Sequence, residues 1–272
     1  MHRSLPERLL AIAIVVFATI LTLYPIVWML AASLKTNSEL FSGSIFELGS
    51  AGLSNFTSSL SQRPFFLYLF NSVLAALVSV LVTVVFGALA GYSLAKFQYR
   101  FSGAVALIVL ASIMIPLEAI VNPLFLEVHA FGWTNTYAAL LLPTAFNVVG
   151  IFVFRQAMVA IPDAYIEAAR IDGASEPRIL FSVIMPMVAP SAVVVAILTF
   201  NLSWNSYLWP LIVASDDGLR TLPLGMAAFQ SAFNTQYGQV MAVSIFGAIP
   251  TTLFFIAFQR HFIEGVSAAG VK

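Results

Sequence analysis

The sequence predicts an all-α polytopic membrane protein with six transmembrane helices in one membrane domain spanning residues 1–272. Three observations lead there. The 272 residues are 60% hydrophobic and 9% charged, whereas soluble domains carry about 25% charged residues. Six apolar stretches, at about 9–34, 67–94, 103–126, 137–158, 188–214 and 240–258, approach or exceed the ~20 residues that cross a bilayer. Most charges collect in the short segments between them.

The composition also removes several functional classes. The formal net charge is zero, which offers nothing to a nucleic acid. With no cysteine, there is no disulfide, thiol nucleophile or cysteine-ligated metal. His2, His129 and His261 are too far apart in sequence for a metal-ligand spacing. No glycine-rich Lys-Ser/Thr phosphate loop occurs. No cofactor is expected in this chain, and any ATP that drives it must be bound by another.

The first run, 9–34, follows Arg3 and Arg8 and ends near Ala31-Ala32-Ser33, which imitates a signal peptide. It exceeds the roughly 7–15-residue core of such a peptide and reads as an uncleaved span. Residues 35–64, rich in Ser, Asn and Gly, read as an external loop. The second span carries Gly87-x-x-x-Gly91, a spacing that lets a neighbouring helix approach closely. The basic turn Lys96–Arg100 precedes the third span, which Pro116 and Pro123 are expected to break and which carries Glu118. A turn through Gly132–Asn135 leads to the fourth span, holding Pro143 and Asn147. The fifth contains Asn201, Trp204, Asn205 and Pro210; an external segment with Asp216, Asp217 and Arg220 separates it from the sixth.

Between the fourth and fifth spans, residues 159–187 form the longest charged island, with Asp163, Glu167, Arg170, Asp172, Glu176 and Arg178. Its local chemistry is helix–turn–helix. Pro162 suits a first helical position, and Asp163 complements the helix dipole. Gly173 stands where a left-handed residue would stop the helix. Ser175, Glu176 and Pro177 start a second helix that Pro186 is expected to limit. The carboxylates have basic neighbours and no nucleophile, so the island is no catalytic constellation. Six spans put this island and both termini on one side. Nine basic residues (Arg3, Arg8, Lys96, Arg100, Arg155, Arg170, Arg178, Arg260 and Lys272) share that side, against Lys35, Arg63 and Arg220 on the other. The positive-inside rule makes the terminal side cytoplasmic.

Glu167-Ala168-Ala169, Asp172-Gly173, Phe181, Pro186 and Pro190 resemble the EAA loop of permease subunits in carbohydrate (maltose-type) ABC importers. Val183 and Met185 depart conservatively from that pattern. Asn71-Ser72, Asn135-Thr136-Tyr137, Trp204-Asn205 and the end Gly265–Lys272 resemble family positions too, so the likeness runs from Asn71 onward and more weakly over the first span. The resemblance implies the type I importer permease fold in a bacterial plasma (inner) membrane. It implies a homologous sister permease, two ATP-binding subunits that hold ATP and Mg, and an extracytoplasmic solute-binding protein. Glu167, Ala168, Ala169, Asp172, Gly173 and Pro186 would then form the ATPase-coupling site, with the small alanines seating a helix in the ATPase groove. The tail Gly265–Lys272 would either follow the ATPase interface or be disordered.

Polar groups inside a membrane usually face a bundle interior or a cavity. From Gly103, fifteen residues of straight helix place Glu118 about 22 Å along, in the outer part of the roughly 30 Å core. Asn122 lies one turn further on the same face. With Asn147, Asn201, Trp204 and Asn205 these residues make a candidate pathway for a hydroxylated solute; the competing role is hydrogen bonding between helices. A second functional reading is a stand-alone secondary transporter with Glu118 as ion carrier and the proline-broken helices at its centre.

Overall fold

The computed structural model describes residues 5–42, 47, 49–227, 229 and 235–270, with side chains described as far as Gln259. The described residues form helices and connecting turns, with no strand among them. They divide into two compact units, residues 1–65 with 225–249, and residues 66–224 with 250–272.

The first unit holds α1 (Leu5–Ser33), α2 (Asn37–Ser42), α3 (Ser54–Gln62) and the start of α15 (Tyr237–Gly270). The α1 helix is apolar and exposed along nearly all of its length, as a helix facing lipid or another subunit is. Within the expected external loop 35–64, α2 and α3 are held by short polar links. The Asn55 amide donates to the Ser33 and Lys35 carbonyls at 2.8 and 2.9 Å. Glu39 accepts from the Thr36 and Ser50 amides. Hydrogen bonds from Ser50 and Thr36 hold its carboxyl down at a pKa of about 2. The rings of Phe56 and Phe65 pack on Phe246 with centroids 5.7 and 5.4 Å away.

In the second unit α4 (Phe65–Lys96) is unbroken for 32 residues, about 48 Å at 1.5 Å per residue. It has no interior proline, and its two glycines serve packing. A Cβ on Gly91 would stand 2.7 Å from the Phe154 Cβ and 3.0 Å from the Arg155 nitrogen; one on Gly87 would meet the Gly150 backbone at 3.2 Å. The Gly87/Gly91 pair therefore seats α4 directly against α8 (Val149–Val159), the close approach its spacing predicts.

The other spans of this unit are interrupted. The third divides into α5 (Ser102–Ile113) and α6 (Leu117–Ala130), bent by 99°. Pro116 sits in extended conformation at the break; proline cannot continue α5 and forces the preceding residue out of helical geometry. Pro123 does not break the chain as expected, since α6 continues through it. The fourth span stops at the end of α7 (Tyr137–Leu141) and resumes at α8. Irregular backbone at membrane depth must be satisfied internally. Thr83 of α4 does so, accepting from the Asn147 amide at 3.0 Å and donating to the Ala145 carbonyl at 3.3 Å. After α9 (Ala164–Ile171), α10 (Glu176–Ile179) and α11 (Met185–Met187), the fifth span divides into α12 (Ala189–Trp204) and α13 (Leu208–Val213). A short α14 (Leu222–Ala227) precedes α15.

Among the described residues three helices are long and apolar enough to cross alone: Leu5–Ser33, Phe65–Lys96 and Tyr237–Gln259. Bends of 85° and 86° separate α8 from α9, and α10–α11 from α12. Because α9 and α10 carry the charges, these two bends fall at the charged island, and α5–α6, α7–α8 and α12–α13 lie in the three remaining apolar stretches. Of the tail, α15 is helical to Gly270, while Val271 and Lys272 lie outside the described residues.

Candidate functional site

The charged island builds a compact hairpin of two short helices. The first, α9, begins at Ala164, two residues later than Pro162 suggested, and the Asp163 carbonyl accepts from the Ile166 and Glu167 amides. It ends in a complete Schellman turn. The Gly173 amide bonds the Arg170 carbonyl and the Ala174 amide bonds the Ala169 carbonyl, each at 3.0 Å. Gly173 has φ +79°, the left-handed conformation that only glycine adopts without steric cost. Ser175 is extended and Glu176 opens α10.

Pro186 does not limit this second helix. The chain widens into a π-helical turn at Leu180–Ile184 and continues through Pro186 to Met187. The widening has a local cause. A proline at position 186 has no N–H to donate and its ring would strike the carbonyl of Ser182 in a regular α-helix; a π turn relieves that contact. Its closing bond runs from the Met185 amide to the Leu180 carbonyl.

The hairpin is fixed to three membrane helices by an apolar cluster. Ile166, Ile179, Leu180 and Ile184 are at most 3% exposed and pack with Ala88 and Tyr92 of α4, Phe154 and Met158 of α8, and Val195 of α12. Burying four such side chains contributes roughly 6–12 kcal/mol as an upper estimate, so packing dominates the anchorage. Polar links then set orientation. Lys96 at the end of α4, its side chain 4% exposed, donates to Asp163 at 2.7 Å and to the Ile161 carbonyl. The Tyr92 hydroxyl donates to Glu176 at 2.9 Å. On its other oxygen Glu176 accepts from Arg170 Nε at 2.7 Å, and the Arg170 guanidinium lies 5.9 Å over the Phe97 ring. The Arg170 hydrogen bond pulls the Glu176 carboxyl below its ordinary range and raises that of Arg170. Glu176 thus joins both hairpin helices to α4. Sequence reasoning missed Tyr92, Lys96 and Phe97, because nothing in their spacing links them to a loop seventy residues away.

The opposite face is open. Tyr165, Glu167, Ala168, Ile171, Asp172, Gly173 and Phe181 are exposed, Ile171 by 87%. Ala168 and Ala169 separate: the first faces outward, the second is half-buried against the apolar cluster. Only Ala168 of the two leaves its methyl group exposed. Tyr165, Ala168 and Ile171 lie three residues apart and form an apolar ridge along α9.

Of the six pathway candidates only Asn201 and Asn205, one helical turn apart, are joined by a hydrogen bond among the described residues. Glu118 sits in the first turn of α6, exposed, beyond the 99° break. Its straight-helix depth of about 22 Å therefore does not hold, because the helix it was measured along ends at Ile113. Asn122, one turn on, is also exposed. Asn147 accepts from the Val149 amide at 3.0 Å and so turns the chain into α8. Asn205 closes α12 through the Asn201 carbonyl at 2.8 Å, leaving the Asn201 side chain exposed. Trp204 is 4% exposed and stacks on Phe200 at 5.6 Å. Trp209, fully buried, donates to the Ala139 carbonyl at 2.9 Å.

Residues 83–267 match the family described as "Binding-protein-dependent transport system inner membrane component". The chain is 33% identical over 266 residues to the lactose transport system permease protein LacG of Rhizobium radiobacter, covering 98% of this chain and 97% of that protein. It is 33% identical over 260 residues to the arabinooligosaccharides transport system permease protein AraQ of Halalkalibacterium halodurans, covering 94% and 93%. A chain in the crystal structure of a bacterial ABC transporter for import of the acidic polysaccharide alginate shares the fold. Its TM-score is 0.82 at 21% identity, over 96% of this chain and 99% of that one.

Proposed function

Because this chain belongs to the family of binding-protein-dependent transport system inner membrane components, we propose that it is the permease subunit of an ATP-driven importer for a sugar or sugar-like solute. The sugar class is supported by the named lactose and arabinooligosaccharide relatives. The observation that carries the coupling part is the hairpin itself: rigidly seated on α4, α8 and α12 on one face, with an exposed apolar ridge on the other.

That ridge is the socket insert for an ATP-hydrolysing subunit. Glu167, Ala168, Asp172 and Gly173 lie on or beside the docking face, Ala169 on the seat, and Pro186 sets the course of the second helix. A ligand or partner shifts an equilibrium only through a part it contacts differently in two states, and the hairpin is that part. ATP and Mg are held by two partner ATPases; a sister permease and an extracytoplasmic solute-binding protein complete the assembly. The positive-inside distribution, nine basic residues against three, supports a cytoplasmic hairpin and termini. Glu118, Asn122 and Asn201 remain exposed polar groups available to a solute pathway shared with the sister subunit, and residues 1–272 act as one translocation domain.

The rival, a stand-alone transporter with Glu118 as ion carrier, gives the hairpin no task. Affinity purification of the tagged chain from its native membrane separates the two. The proposed function requires an ATPase and a second permease to co-purify; a chain that runs alone and transports without ATP refutes it.

A further inference from the structure

The spans of the second unit differ in one mechanical respect. The α5–α6, α7–α8 and α12–α13 spans are all interrupted, whereas α4 is continuous. Both ends of α4 are tied by polar contacts. At the hairpin end, Tyr92 holds Glu176 and Lys96 holds Asp163, at 2.9 and 2.7 Å. At the other end Asn71 is completely buried. Its amide nitrogen donates to the Gly218 and Arg220 carbonyls at 3.0 and 2.9 Å, and its oxygen accepts from the Tyr137 hydroxyl at 2.7 Å. Ser72 beside it, also buried, accepts from the Leu222 amide at 2.7 Å. The amide of Asp216 is held in turn by Asn135 at 2.8 Å. The segment 216–222 on the face opposite the hairpin is therefore clamped to α4 by its backbone.

We propose that α4 is the strut that couples the hairpin to the 216–222 segment across the membrane, with Asn71 as the positioning residue at its far end and Tyr92 at its near end. The twenty-one helical rises from Asn71 to Tyr92 span about 32 Å, roughly the bilayer core. An unbroken helix transmits a displacement along its axis, while a helix bent by 99° absorbs it in the break. A buried amide with all its partners in place cannot slip without stranding the two carbonyls it holds, which makes the clamp stiff. The inference rests on the hairpin being the ATPase socket.

The test uses the full complex with sister permease and ATPases in nanodiscs, the partners being cysteine-free as this chain is. Ser215, exposed beside the clamped segment, is replaced (Ser215→Cys) and labelled with a nitroxide. ATP with orthovanadate is added to trap the closed ATPase. The parent complex should show a change in label mobility on trapping. Asn71→Ala, and the milder Tyr137→Phe, should keep assembly and basal ATP hydrolysis while the change shrinks about fivefold or more, the span of an ordinary coupling energy. Tyr92→Phe should reduce it from the other end. If the variants respond like the parent, or the trapped parent shows no change, the strut is refuted while the socket reading stands. A parent that binds no ATPase refutes the socket reading, and the strut with it.

Discussion

At the scale of residues, two glycines show how the same added methyl group has different consequences. A Cβ at Gly91 collides with Phe154 and Arg155 of α8, whereas one at Gly173 meets nothing within 4 Å. Gly91→Ala should therefore cost about 1–3 kcal/mol by overpacking and lower the melting temperature of the purified complex. Gly173→Val should cost about 1–2 kcal/mol through its left-handed backbone alone, leave assembly with the sister permease intact, and weaken ATPase retention in a pull-down. The Glu176 link carries a pH signature. Its folded pKa is depressed, so its contribution is complete above the ordinary value of 4.5 and is lost as pH falls through the lower folded value. Hairpin protection from proteolysis should hold between pH 7 and pH 5 in the parent. In Arg170→Met the main depressing partner is gone, and protection should begin to fall at a higher pH than in the parent. Glycine and proline chemistry made Gly173 legible in the sequence, because only that residue suits the turn. Tyr92 and Lys96 were not legible: a tyrosine and a lysine at a helix end are common, and their partners lie 84 and 67 residues away.

At the scale of elements, hydrophobic run length marked the apolar helical stretches but not their interruptions. Pro116 broke its helix and Pro123 did not; both lack an amide donor, and only the structure shows which missing bond the chain could bear. The EAA hairpin was the most legible element, since its charges, glycine and prolines each dictate local geometry. The π turn before Pro186 was not legible, because it depends on continuing a helix that proline usually ends. For α6 the consequence is a test of Glu118. It is exposed, and no hydrogen bond or ion pair reaches it from the described residues, so Glu118→Gln should leave complex yield and melting temperature unchanged. Altered solute uptake in proteoliposomes is expected from the pathway proposal. Unchanged uptake with unchanged stability removes Glu118 from the pathway.

At the scale of the whole molecule, the membrane determines what sequence can reveal. Composition gave the class, but exposed apolar surface on α1, α5 and α6 has two outlets, lipid or partner, that composition does not distinguish. The central claim is that the hairpin transmits ATPase closure to this chain, and Ile171 tests it most directly. It is 87% exposed on the ridge of α9 and takes no part in the apolar cluster that seats the hairpin, so replacing it disturbs docking and spares the fold. The measurement is ATPase-subunit retention together with ATP-dependent solute uptake by Ile171→Asp complexes reconstituted in proteoliposomes. The account predicts normal membrane insertion and sister-permease binding, with ATPase retention and uptake both lost. Full retention and full uptake in Ile171→Asp would contradict it.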